Sequence, residues 1–173
     1  MKKILVSTIA FITIIMFSNI NSYANIYSSN LPSNTNSVEE KYIDELTRIG
    51  NQVEILASNS LNAIINKKDT QDLLKEALYI KTQIRELRIT LSDYHKEKSG
   101  DEEKNPFSLG LLNTLNYYSM SLSFLTLFLQ TQSISDRNEY LENYYFSKAS
   151  GDQTLAWAKL QVKWLNKKVG ENL

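Results

Sequence analysis

The chain has no cysteine, one histidine, two prolines and five glycines among its 173 residues. The absence of cysteine excludes disulfides, covalently attached c-type heme and thiolate ligands for zinc. The one histidine, His95, cannot supply the histidine pair of a di-iron bundle, and Ser92 stands where a Glu-x-x-His motif needs glutamate. None of the glycines forms a phosphate-binding pattern. We therefore predict no cofactor and no metal site.

Neither sign of charge is in excess. Lysine plus arginine and aspartate plus glutamate each number 19. If Lys2 and Lys3 are removed with an N-terminal leader, 17 basic and 19 acidic residues remain, which gives a net charge of about −2. Binding to nucleic-acid phosphates requires a cationic excess. The balance of charges predicts that nucleic acid is not a partner.

Residues 1–24 have the three-part pattern of a secretory signal peptide. Lys2 and Lys3 form the positive start, residues 4–17 form the apolar centre, and cleavage is expected after Ala24. Residues 25–37 are rich in asparagine and serine without a periodic apolar face, which predicts a flexible leader. We expect the mature protein to be secreted or periplasmic, and its composition is typical of bacterial proteins.

Residues 38–170 are predicted to form a single helical domain. Ser37 and Glu40 match a capping box, and apolar or small residues then alternate at spacings of three and four. Asp69 and Thr70 indicate the start of a second helix with the same alternation, and this pair should form an antiparallel hairpin. The repeating positions are Tyr42, Leu46, Ile49, Val53, Leu56, Ser60 and Ala63 in the first helix, and Leu73, Ala77, Ile80, Ile84, Leu87, Leu91 and Tyr94 in the second.

Residues 105–135 contain no aspartate, glutamate, lysine or arginine. Apolar side chains cover most of the helix circumference in this segment, which predicts a central helix with neighbours on several sides. The segment is long enough to cross a bilayer, but its mean hydropathy over residues 111–129 is roughly +1.1, below the roughly +1.6 typical of a membrane span. A buried bundle helix is therefore favoured, with a membrane-inserted helix over residues 107–132 as the alternative.

The C-terminal part of the chain completes the predicted fold. Tyr140, Leu141, Tyr144, Tyr145 and Phe146 form an aromatic cluster that is expected to pack on the central helix. The Ser-Gly-Asp sequence that follows predicts an interruption, because one straight helix would overhang its partners. The sequence thus predicts an all-α, antiparallel, up-and-down four-helix bundle whose last helix is bent or split near Gly151.

Residues 153–169 offer more apolar surface than one core-facing side requires. One side carries Leu155, Ala158, Val162, Leu165 and Val169, and the other carries Trp157, Leu160 and Trp164, edged by Lys159, Lys163 and Lys167. The second side is the candidate contact surface for a protein partner or a membrane surface. In the competing interpretation both tryptophans close the bundle core.

These patterns predict an exported, non-enzymatic protein that binds a protein partner through a helix face, with no catalytic residue. One alternative is a membrane-associated or membrane-active protein that uses the charge-free helix at 107–132 and the Trp/Lys segment at 153–169. A second is an enzyme built on carboxylates, because acidic residues are numerous although they fall mainly on polar faces. Association of the chain with itself is also open.

Overall fold

The computed structural model describes residues 37–100 and 105–171, with side chains described as far as Trp164. These residues form four α-helices, α1 Val38–Ile65, α2 Gln71–Lys98, α3 Asn105–Gln130 and α4 Ile134–Glu171. The helices pack against one another and the described residues include no strand, which confirms the predicted all-α four-helix bundle. The predicted signal peptide and residues 25–36 of the predicted leader lie outside the described residues.

The first helix begins where the capping box was predicted. The Ser37 hydroxyl accepts a hydrogen bond from the Glu40 amide, and the Glu40 carboxylate accepts one from the Ser37 amide, both at 3.2 Å. At the start of α2, Asp69 Oδ1 accepts from the Gln71 amide at 3.1 Å, whereas the Thr70 side chain makes no capping bond. The starts of α1 and α2 thus each have a side-chain acceptor for amides that lack a partner within the helix.

Consecutive helices run in opposite directions. Along each pair of consecutive helices, the residue numbers of the contacting residues rise on one helix and fall on the other. This antiparallel order defines an up-and-down topology. The pairs are Glu39 with Tyr94 and Arg48 with Gln83 for α1 and α2, Arg88 with Asn116 and His95 with Ser108 for α2 and α3, and Gly110 with Trp157 and Tyr118 with Asp152 for α3 and α4.

The charge-free helix α3 lies at the centre of the bundle. Both α3 and α1 contact all three other helices, whereas α2 and α4 do not contact each other within the described part of the chain. The fully or nearly fully buried large side chains of α3 are Phe107, Leu111, Leu115, Tyr118, Leu122, Leu125, Phe128 and Leu129. Their burial contributes on the order of 10–25 kcal/mol before the cost of chain entropy.

Most of the large apolar side chains of α3 are buried against its neighbours, whereas Leu109, Met120 and Leu127 are exposed. Within residues 37–100 and 105–171, no helix combines the length and apolarity needed to cross a membrane. The more polar outer side of α3 is exposed at Asn116, Ser123 and Gln130. Asn116 Oδ1 accepts a hydrogen bond of 2.6 Å from the guanidinium of Arg88 on α2.

The last helix is continuous through Gly151, so of the two predicted alternatives the split is wrong and the bend stays a prediction. Gly151 is buried, and a Cβ built on it would lie 2.7 Å from Cε1 of Tyr118 and 3.2 Å from Cβ of Tyr117. The glycine is therefore needed where α4 passes close to α3, and it does not end the helix. The start of α4 is capped by Ser133, whose hydroxyl accepts from the Asp136 amide at 3.3 Å.

Candidate functional site

An exposed row of uncharged side chains runs along the outer side of α4. We call Phe146, Ala149, Gln153, Trp157, Leu160 and Trp164 the α4 aromatic stripe. Their spacings of three and four residues place them on one face of a continuous helix, over about 27 Å. The exposed fractions are 72% for Phe146, 37% for Trp157, 58% for Leu160 and 49% for Trp164. Three aromatic rings and a leucine therefore face outward without a charged residue among them.

Trp157 joins the α4 aromatic stripe to the neighbouring helix. Its six-membered ring lies directly against Gly110 of α3, so closely that a Cβ at Gly110 would overlap the ring. The ring thus occupies a notch that only glycine provides, and about a third of the residue stays exposed. Trp157 is thus partly packed against α3, whereas Leu160 and Trp164 are more exposed.

Of the predicted lysine edge, Lys163 lies beside the stripe, about 60° around the helix from Leu160, whereas Lys159 lies about 100° from Leu160, on the side of α1. Lys159 and Lys163 are both exposed and follow one another by one helical turn. Partial burial of its ammonium group lowers the pKa of Lys159, and the carboxylates of Asp44 and Asp152 act in the opposite direction. The side chain of Lys167, the third predicted member, lies outside the described residues. Of the predicted set, the structure therefore brings together Trp157, Leu160 and Trp164, with Lys163 along one flank.

Phe146 belongs to this face, although its sequence neighbours point inward. Tyr144 is buried, and Tyr140, Leu141 and Tyr145 pack against the core as predicted, but Phe146 is largely exposed. The expected inward packing of Phe146 is thus wrong. The available signal was its distance of eleven residues from Trp157, close to three whole helical turns. A split at Gly151 would place the two rings on different helices, whereas in the continuous helix they share one face.

A polar cluster with a buried tyrosine and lysine and two half-exposed carboxylates fixes another side of α4. The Tyr118 hydroxyl donates to Asp152 Oδ1 at 2.8 Å, and Lys148 Nζ donates to both oxygens of Asp152 at 2.7 and 2.6 Å. The ammonium group also lies 3.9 Å from Glu54 Oε2 on α1 and 5.4 Å from the centre of the Tyr118 ring. We call Glu54, Tyr118, Lys148 and Asp152 the interhelix polar cluster.

The interhelix polar cluster has the features of a structural ion-pair network. Tyr118 is fully buried and Lys148 is 8% exposed, so neither is open to a substrate. Burial, followed by the charge of Asp152, raises the pKa of Tyr118 above its usual value, which keeps the phenol protonated. The cluster ties α4 to both α1 and α3, and it thereby holds the α4 aromatic stripe on the outside.

His95 has a partner that the sequence did not reveal. Its Nδ1 lies 2.7 Å from the hydroxyl of Ser108, which is fully buried and also donates to the Asn105 carbonyl at 3.0 Å. A serine nucleophile needs an accessible hydroxyl. In this enclosed position the pair links the end of α2 to the start of α3. Among the described residues, no three histidine or acidic side chains converge as a metal site would require.

No known protein family, curated protein or solved structure matches this chain.

Proposed function

We propose that this chain is an exported, non-enzymatic protein that binds a protein partner through the α4 aromatic stripe. The observation that carries the proposal is the exposure of Phe146, Trp157, Leu160 and Trp164 on one uncharged helix face. Tryptophan and other large apolar residues contribute most of the binding energy at protein interfaces, and charged residues are depleted at interface centres. Export rests on the signal-peptide pattern of residues 1–24.

The stripe is also held in a rigid setting. The ring of Trp157 is seated against Gly110, and the interhelix polar cluster fixes the rotation of α4 about its axis. A surface that is ordered before binding loses less conformational entropy when a partner docks. This supports recognition of a folded protein surface by the preformed face of one helix.

An interfacial membrane site is the second candidate. The specific observation in its favour is the position of Lys163 beside Leu160 and Trp164, because lysine binds lipid headgroups and tryptophan favours the membrane interface. Under this alternative, purified protein floats with anionic vesicles and stays behind with neutral ones. For the carboxylate-enzyme alternative, the acidic residues of the interhelix polar cluster offer no support, because Lys148 holds both of them in an ion-pair network.

The test places a photo-crosslinking amino acid at Gln153, in the middle of the stripe, and at Thr82 on the exposed side of α2 as the control. Proteins trapped through Gln153 and not through Thr82 are identified by mass spectrometry, purified, and titrated against the mature chain. We expect Leu160→Glu to weaken binding by about tenfold or more, because it places a charge at the interface centre. Leu78→Glu is the matched control, since Leu78 is similarly exposed, at 64%, on α2. Equal loss in both variants, or none in either, contradicts the proposal.

A further inference from the structure

The surroundings of the α4 aromatic stripe have opposite charges at its two ends. Continuing the stripe toward the start of α4, the next exposed positions are Glu142 and Glu139. Toward its other end the flank carries Lys163. One end of this face is therefore acidic and the other end is basic, with the uncharged side chains between them.

A face with this arrangement is complementary to itself when two copies meet in opposite directions. A parallel arrangement of two α4 helices would place glutamates opposite glutamates and lysines opposite lysines, which is unfavourable. An antiparallel arrangement places the acidic end of each copy opposite the basic end of the other. Such a contact is isologous, so both copies use the same residues.

The sizes of the side chains also match in one antiparallel register. With a two-fold axis at Gln153, positions that are equally far from this residue on either side face each other. Trp157, four residues after it, then lies opposite Ala149, four residues before it, and Leu160 lies opposite Phe146. The largest side chain meets the smallest, and Glu142 comes opposite the turn that contains Lys163 and Trp164. This register combines knobs-into-holes packing with pairing of opposite charges.

From these observations we infer that the partner of the α4 aromatic stripe is a second copy of this chain, bound with its α4 antiparallel about Gln153. The inference rests on the proposed function, because it names the partner of the same face. The four large side chains expose on the order of 400 Å² in each copy, about half of what one side of a standard stable interface buries. The dimer is accordingly weak, with a dissociation constant in the micromolar range.

Sedimentation and disulfide trapping test this arrangement, and the absence of cysteine makes each introduced thiol unique. Sedimentation equilibrium of the mature chain from about 1 µM to about 1 mM should show a monomer–dimer equilibrium. Leu160→Glu should raise the dissociation constant of the dimer by about tenfold or more, whereas Leu78→Glu should leave it unchanged. Gln153→Cys should form a disulfide-linked dimer under mild oxidation, whereas the control Thr82→Cys should not. Mixing Phe146→Cys with Leu160→Cys should give the mixed dimer in preference to either self-linked dimer.

The outcomes separate this inference from the proposed function. A monomer throughout the concentration range overturns the inference, and the proposed function still stands if Leu160→Glu weakens a partner trapped through Gln153. A dimer that is insensitive to Leu160→Glu overturns the inference, and the absence of any partner sensitive to this variant overturns the proposed function as well. Preferential self-linking of Phe146→Cys or of Leu160→Cys indicates parallel helices and overturns the antiparallel arrangement. Monomers that float with vesicles only when Leu160 is intact assign the face to a membrane and overturn both proposals.

Discussion

Tyr118 of α3 packs against a glycine of each of two other helices, Gly50 of α1 and Gly151 of α4. A Cβ built on Gly50 of α1 would lie 2.7 Å from the Tyr118 hydroxyl, and one built on Gly151 of α4 would lie 2.8 Å from Cδ1 of its ring. The aromatic ring therefore fills the space that two glycines leave open on facing helices. Its hydroxyl is satisfied by Asp152, so a fully buried phenol carries little desolvation cost.

Gly151→Ala should destabilise the protein although alanine is the better helix former. The added methyl group collides with the Tyr118 ring, and such overpacking costs about 1–3 kcal/mol, which exceeds the gain of about 1 kcal/mol in helix propensity. We expect a net loss of up to about 2 kcal/mol in the free energy of unfolding, measured by urea denaturation. Gly100→Ala is the control, because nothing lies within 4 Å of a Cβ at Gly100. A stabilised Gly151→Ala variant would show that the ring yields to the methyl group.

Alkaline pH should destabilise the fold through its buried tyrosines. Burial is the main cause that raises the pKa of Tyr118 above the ordinary value of 10.0. The contribution of the protonated Tyr118 to the free energy of unfolding is thus complete below about pH 10. It is lost as the pH rises further, because only the unfolded chain then releases the phenol proton. Each such tyrosine lowers the free energy of unfolding by about 1.4 kcal/mol per pH unit above that point.

Tyr118→Phe isolates this effect. At neutral pH the variant should lose about 1 kcal/mol with the hydrogen bond to Asp152, and between about pH 8 and pH 11 its stability should fall by about 1.4 kcal/mol less than that of the parent. Urea midpoints at the two pH values measure both quantities. Tyr79→Phe, at an exposed position of α2, controls for the substitution itself. An unchanged pH dependence in Tyr118→Phe would mean that the phenol ionises within the folded protein.

At the scale of the elements, the helices differ in how well their sequences predicted them. The repeating positions of α1 from Leu46 to Ala63 are all buried, because a single apolar seam meets its neighbours along the whole helix. In α4 the apolar residues lie on two sides, and sequence periodicity does not tell which side meets the bundle. The position of Tyr118 on α3 decides this, since Gly151 and Asp152 must face it.

The two N-terminal caps provide a matched comparison between elements. Ser37→Ala removes the side-chain acceptor of a complete capping box. The free energy of unfolding should fall by about 1 kcal/mol, within a usual range of about 0.5–2 kcal/mol. Thr70→Ala is the control, because the Thr70 side chain makes no capping hydrogen bond and its loss should change stability by less than about 0.5 kcal/mol. Urea denaturation measures both. Equal losses in the two variants would contradict the capping assignment.

For the molecule as a whole, the packing predicts one cooperative unfolding transition. Both α1 and α3 contact all other helices, so loss of either exposes surface on the rest. The two tryptophans of the chain, Trp157 and Trp164, both lie on α4, and their fluorescence therefore reports the packing of this helix on the bundle. We expect the urea midpoints from tryptophan fluorescence and from far-ultraviolet circular dichroism to coincide. A fluorescence transition that precedes the loss of helix would show that α4 separates from the bundle first.

The sequence by itself determined the helical class, the cap and seam of α1, and the central place of α3. These features follow from local hydrogen bonding and from apolar periodicity, which one segment carries alone. Only the tertiary structure decided the continuity of α4 and the outward position of Phe146, Trp157 and Trp164. A glycine within a helix can mark either an interruption or a close approach, and the difference lies in the facing residue, here Tyr118, which is distant in sequence.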